Sequence, residues 1–102
     1  MADSITPQQF RESPGVDEWR VHVSSATAHF KTLSFARGVE LVNAIAVLAE
    51  MANHHPDVDL RYSEVTVGLT SHDIQGLSQR DVALAKQIST AAHDLGILAE
   101  RE

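Results

Sequence analysis

From residue 35 to residue 56 the chain reads FARGVELVNAIAVLAEMANHHP, and the fold is read outward from this stretch. Phe35, Val39, Val42, Ile45 or Ala46, Ala49 and Ala52 recur at three- and four-residue spacing, the period of a helix with one apolar face. Gly38 costs a helix about 1 kcal/mol against alanine, so its place in the first turns points to a close approach to a neighbouring layer. Asn53 suits a helix C-terminus, and Pro56 forbids continuation.

On either side of this helix the period changes to two. Upstream, Trp19-Arg20-Val21-His22-Val23 alternates apolar and polar residues, and so does His29–Phe35, with Phe30 and Leu33 out of strict phase. Joined through Ser24 and Ser25, they make a hairpin. Downstream, Asp59–Tyr62 and Val65–Thr70 read as two further strands. Ser63-Glu64 lacks the Asn-Gly chemistry of a two-residue turn, so a tight turn and one long strand both remain open there. Helices bracket the whole. Thr6, Pro7 and Gln9 form a start signal with a capping-box partner, and Ser13-Pro14-Gly15 ends that helix. Ser78 and Asp81 form a second capping box, Leu77 and Val82 stand at staple spacing, and Val82, Ala85, Ile88, Ala92 and Leu95 make the stripe of a last helix stopped at Gly96. The order α-β-β-α-β-β-α predicts an α+β fold: a four-stranded antiparallel sheet with three helices packed on one face.

Composition narrows the function. A chain of 102 residues with 43% hydrophobic and 22% charged side chains is one globular domain, taken as residues 1–102. Its net charge of -6, with only eight Lys and Arg, argues against direct nucleic-acid binding. The absence of cysteine rules out disulfides, thiol catalysis and Cys-bound metals. No secretory signal is seen at the N-terminus, and the longest apolar run, residues 44–49, is too short for a bilayer. The expectation is a cytoplasmic protein with no membrane partner.

Chemistry concentrates between Glu50 and Asp81. His54 and His55 follow the central helix, where outward carbonyls favour a cation. Glu50, four residues before His54, would share its side if the helix persists. His72 follows a strand, at a place where a rigid sheet positions reactive side chains. Imidazoles near carboxylates suit proton transfer near neutral pH. Asp81 reads first as a capping residue and second as a site residue, unless the two roles coincide. Metal is not expected, because adjacent histidines diverge and neither His-x-x-x-His nor Glu-x-x-His is present. His22, His29 and His93 carry no assignment, and Trp19, Phe30 and Phe35 are read as core.

Taken together, Glu50-x-x-x-His54-His55-Pro56, Tyr62, Leu69-x-x-His72, Gly76-Leu77-Ser78-x-x-Asp81 and Leu84-Ala85 resemble the pterin-4a-carbinolamine dehydratase family, also called 4a-hydroxytetrahydrobiopterin dehydratases. Animal members are known as dimerisation cofactors of a homeodomain transcription factor. The resemblance implies elimination of water from a 4a-hydroxytetrahydropterin, giving the quinonoid dihydropterin, without a cofactor. It implies catalytic roles for His54, His55 and His72, supporting roles for the acids Glu50 and Asp81, and substrate contact for His55 and Ser71. It also implies a homodimer or homotetramer. Two positions depart from the pattern: Val58 stands where many relatives carry an aromatic residue, and Ser71 where threonine is frequent. The rival reading is a protein-binding module of the same fold.

Overall fold

The computed structural model describes residues 4–100. A short helix, α1 (Pro7–Arg11), opens as its capping box requires. The Thr6 hydroxyl accepts from the Gln9 amide at 3.0 Å and the Gln9 side chain accepts from the Thr6 amide at 2.8 Å. α1 buries Phe10 completely. A strand before it, β1 (Ser4–Ile5), pairs antiparallel with β6 (Leu77–Ser78) in a small separate sheet.

The main sheet holds β2 (Arg20–Val21), β3 (Ala26–Lys31), β5 (Glu64–Leu69) and β4 (Asp57–Leu60), antiparallel and in that spatial order. A last strand, β7 (Leu98–Ala99), pairs with the length of β3 that β2 leaves open, at Phe30↔Ala99 and Lys31↔Leu98. The predicted four strands are therefore joined by β7, and β1 and β6 stand outside the predicted order. Each of the three has two residues, too few to show an alternation.

The helices cover one face of this sheet. Ala26, Ala28 and Phe30 of β3 lie opposite Leu69, Val67 and Val65 of β5, and all six are buried in one core with Phe10, Leu41, Ile45, Val82 and Ile88. Thr27, His29, Thr66 and Gly68 form the other, partly exposed face. Trp19 closes one end, edge-on to Phe30 at 6.3 Å, with its indole N–H donating to the Ser89 hydroxyl at 2.9 Å.

Two strand boundaries differ from the sequence reading. The second strand lies at 26–31, not 29–35, because Leu33 turns into the left-handed region (φ 69) and the Ser34 hydroxyl caps the next helix. The hairpin through 22–25 is present, with His22 N–H donating to the Ser25 carbonyl. Strand β4 begins at Asp57, two residues early. It is followed by a true reversal in which the Arg61 amide donates to the Glu64 carbonyl at 2.9 Å, so the single long strand is excluded.

Helix α2 (Phe35–Ala52) is present, but its inner face is turned from the predicted one. Gly38, Leu41, Ile45 and Ala49 are buried, whereas Phe35 is 50% exposed. Apolar residues surround much of this helix, so periodicity alone selects no face. The sheet contact does. A Cβ on Gly38 would stand 2.6 Å from Leu60 Cδ1 and 3.5 Å from Val65 Cγ2, so the missing side chain sets the distance between layers. Helix α3 (Gln79–Asp94) carries the Ser78–Asp81 capping box and ends where Gly96 takes φ 73.

Gly38→Val should therefore lower stability by about 1–3 kcal/mol, as overpacking does. Urea denaturation tests this, and an unchanged midpoint would mean that the helix does not rest on Leu60 and Val65 as described.

Candidate active site

The end of α2 decides where the paired histidines go. Asn53 adopts the left-handed conformation (φ 49, ψ 43), its amide donates to the Glu50 carbonyl at 3.3 Å, and the His54 amide donates to the Ala49 carbonyl at 3.1 Å. This is the Schellman closure, and asparagine tolerates it better than most residues. Beyond it the helical spacing no longer holds. Glu50 consequently pairs with His55, at 2.5 Å, and not with His54 as the four-residue spacing predicted.

His54 goes inward. It is 9% exposed, and its Nε2–H donates to Asp81 Oδ1 at 2.6 Å. An ionised carboxylate only accepts, so the proton in this bond sits on Nε2 and Asp81 leaves Nδ1 unengaged. Asp81 has no exposure at all. Its second oxygen accepts from the Ser71 hydroxyl at 2.8 Å and from the Ser78 amide at 2.9 Å, while the two serine hydroxyls lie 2.8 Å apart. The cap of α3 and the partner of His54 are thus one carboxylate.

Ser71, for which the resemblance implies substrate contact, lies behind the acid. It is fully buried and its hydroxyl is taken up by Asp81 and Ser78, so it positions the acid from behind and has no exposed surface to offer a substrate. His72, the next residue, is exposed at the start of a turn closed by the Ser71 amide on the Gly76 carbonyl at 2.8 Å. It directly follows the residue whose hydroxyl supports the His54–Asp81 couple.

Two participants were not singled out in the sequence. Asp73 Oδ1 accepts from Arg80 Nη2 at 2.5 Å, across the turn. Hydrogen bonding to Arg80 is the main cause that holds the Asp73 carboxyl below its usual 3.8; partial desolvation opposes it, and the Arg80 charge, a backbone hydrogen bond and the nearby His54 reinforce it. The signal available was an acid after His72 and a base before Asp81, which no short-range rule connects.

Glu50, His55, Pro56 and Val58 line a shallow cavity of about 180 Å³ against α2. Larger hollows lie elsewhere: one of about 470 Å³ near Arg20, His29 and Glu100, and a groove of about 540 Å³ between α2 and α3. Size favours those, and His54 and Asp81 line none of the three; the smaller one is distinguished by holding His55 together with its partner Glu50, directly after His54 in the chain. The remaining histidines have partners of their own, His22 with Thr27, His29 with Thr66 and His93 with Glu18. Among the described residues no three His, Asp or Glu side chains converge as a metal site. Nor is any described helix long and apolar enough to cross a membrane.

Two outcomes follow for stability. Asp81→Ala strands the Ser78 amide and the Ser71 and His54 donors, and should cost at least about 2 kcal/mol, read by chemical denaturation. Asp73 has its folded pKa depressed, so its contribution is complete above the usual 3.8 and disappears as pH falls through the lowered value. Wild type should therefore exceed Asp73→Asn in stability by a small margin at pH 6 and low salt, because exposed pairs are screened, and lose that margin in strong acid. A gap of the same size at both pH values would contradict the Arg80 pairing.

Residues 3–91 match a family model described as Pterin 4 alpha carbinolamine dehydratase. A Chloroflexus aurantiacus protein, provisionally named a pterin-4-alpha-carbinolamine dehydratase, is 34% identical over 88 residues, 86% of this chain and 91% of that one. One of the same provisional name from Roseiflexus sp. is 38% identical over 89 residues, 86% of this chain and 96% of that one. Among solved structures, a Brucella melitensis protein described as a transcriptional coactivator/pterin dehydratase superposes with a TM-score of 0.81 at 25% identity, covering 88% of this chain and 99% of that one. A pterin dehydratase-like protein identified as a RuBisCO assembly factor in the alpha-carboxysome shares the fold, with a TM-score of 0.63 at 20% identity, covering 74% of this chain and 89% of that one. On the extent of these matches, the chain belongs to the pterin 4 alpha carbinolamine dehydratase family.

Proposed function

We propose that this protein eliminates water from a 4a-hydroxytetrahydropterin to give the quinonoid dihydropterin, with histidines as general acid and base. The observation that carries the reading is the buried Asp81 carboxylate holding His54 by Nε2. Loss of the 4a-hydroxyl needs one group to protonate the departing oxygen and another to remove a ring N–H proton. Nothing is oxidised or reduced overall, so the two proton transfers are the whole chemistry asked of the side chains.

A histidine fixed through one nitrogen exchanges protons through the other. Asp81 opposes the charge that His54 gains on accepting a proton, the role a carboxylate plays behind a catalytic imidazole. His54 and His72 are accordingly the acid–base pair in this proposal. His55, oriented by Glu50 beside the cavity, binds the pterin. Val58 lines that same cavity and offers an aliphatic surface to a flat heterocycle, which supports a looser fit than an aromatic wall would give.

Self-assembly into a dimer or tetramer belongs to the same proposal, as does a cytoplasmic location. The outer side of α2 supports assembly, with Val47 60% and Met51 81% exposed. Those residues also favour the second reading, a surface that receives another protein without chemistry.

Dehydration of freshly generated 4a-hydroxytetrahydropterin, followed spectroscopically, separates the two. Replacing His54, His55 and His72 by alanine one at a time should slow turnover at least about tenfold for two of the three, since placed acid–base groups supply roughly 10²–10⁴. Wild-type rates in all three variants would end the enzymatic reading. A stoichiometric protein partner with no measurable dehydration would establish the other.

A further inference from the structure

We propose that Arg80 and Asp73 form a positioning clamp that fixes the His72-bearing turn against the His54–Asp81 couple. The turn from Ser71 to Gly76 is short and closed on itself. The Ser71 and Gly76 backbones bond to each other, the Ile74 amide donates to the Ser71 carbonyl, and the Gln75 amide donates to the His72 carbonyl at 3.2 Å. Gln75 stands at φ 52, in the left-handed region that a side chain of its size adopts at some cost. Such a turn needs anchoring if the side chain it carries is to stay in register with a buried partner.

It is anchored at two depths. Inside, the Ser71 hydroxyl bonds to Asp81 and Ser78. Outside, Asp73 is held by Arg80 Nη2 at 2.5 Å, while Arg80 Nε and the Arg80 amide both donate to the Ser78 hydroxyl, at 3.4 Å and 3.2 Å. Arg80 is thus tied at once to the turn and to the first residues of α3, the helix that carries Asp81. Its side chain is 38% exposed, which restricts it more than a free surface arginine. His72 lies between the two anchors, Ser71 and Asp73.

The ion pair is worth little as stability, because exposed pairs are screened. Its effect is geometric. A guanidinium presents a rigid fork, so it restricts the direction of its partner as well as its distance. Lysine would keep the charge and lose that restriction. The catalytic consequence of the clamp rests on the dehydratase reading above, but the clamp itself does not.

Amide hydrogen exchange across residues 72–76 tests the clamp without any substrate. Arg80→Gln and Asp73→Asn should each raise exchange in that turn at least about tenfold while exchange in the middle of α3 stays as in wild type. The double reversal Arg80→Asp with Asp73→Arg should restore protection in part. Turnover is read on the same proteins: kcat should fall at least about tenfold, with KM changed far less, as for a misplaced acid–base group, and Arg80→Lys should recover only part of the loss. Unchanged exchange in the turn overturns the clamp. Raised exchange with kcat intact overturns its positioning role. Should wild type itself fail to dehydrate the pterin, the functional reading fails, and the exchange data still decide whether the clamp exists. If Arg80→Gln does not fold, Asp73→Asn carries both measurements alone.

Discussion

A carboxylate removed from water must be met by donors on every side, or its burial costs several kcal/mol. Asp81 meets this condition with groups from three separate parts of the chain: the His54 ring beyond α2, the Ser71 hydroxyl at the end of β5, and the Ser78 amide at the start of α3. Two helices and the sheet are therefore joined through one side chain. The helix N-terminus adds a favourable field for the same charge. The carboxylate that caps α3 is therefore also the one that holds the His54 ring.

The surroundings divide the histidines by environment. His54 is enclosed and hydrogen-bonded to a buried acid, while His55 and its partner Glu50 are largely exposed. A proton taken up at His54 is balanced inside the protein; one taken up at His55 is balanced by solvent as much as by Glu50. This difference supports giving His54 the chemical step and His55 the binding step. His72 is exposed yet joined to the His54 network through its neighbour Ser71.

The layer contact acts at a distance on this site. Gly38 lets α2 settle on Leu60 and Val65, and that seating fixes the height at which the helix ends and its last carbonyls receive the Asn53 and His54 amides. The same seating leaves Val47 and Met51 outside, on a face that no part of the described chain covers. The placement of His54 and the exposure of Val47 and Met51 are two sides of one helix orientation.

Much of this architecture was legible from residue order. Thr6 with Gln9 and Ser78 with Asp81 announced two helix starts, Pro56 and Gly96 two stops, and the alternation of Val65, Val67 and Leu69 a half-buried strand, because caps and periodicity depend on neighbours a few positions apart. The ordered anchors from Glu50 to Asp81 likewise announced the family. What tertiary structure decided is which face of α2 turns inward, that Glu50 serves His55 and not His54, that Ser71 stands behind Asp81, and that Arg80 reaches Asp73. It also decided the short strands β1, β6 and β7. Each of these depends on contacts between segments distant in the chain, or on a single left-handed residue such as Asn53 redirecting everything after it, and no local spacing encodes either.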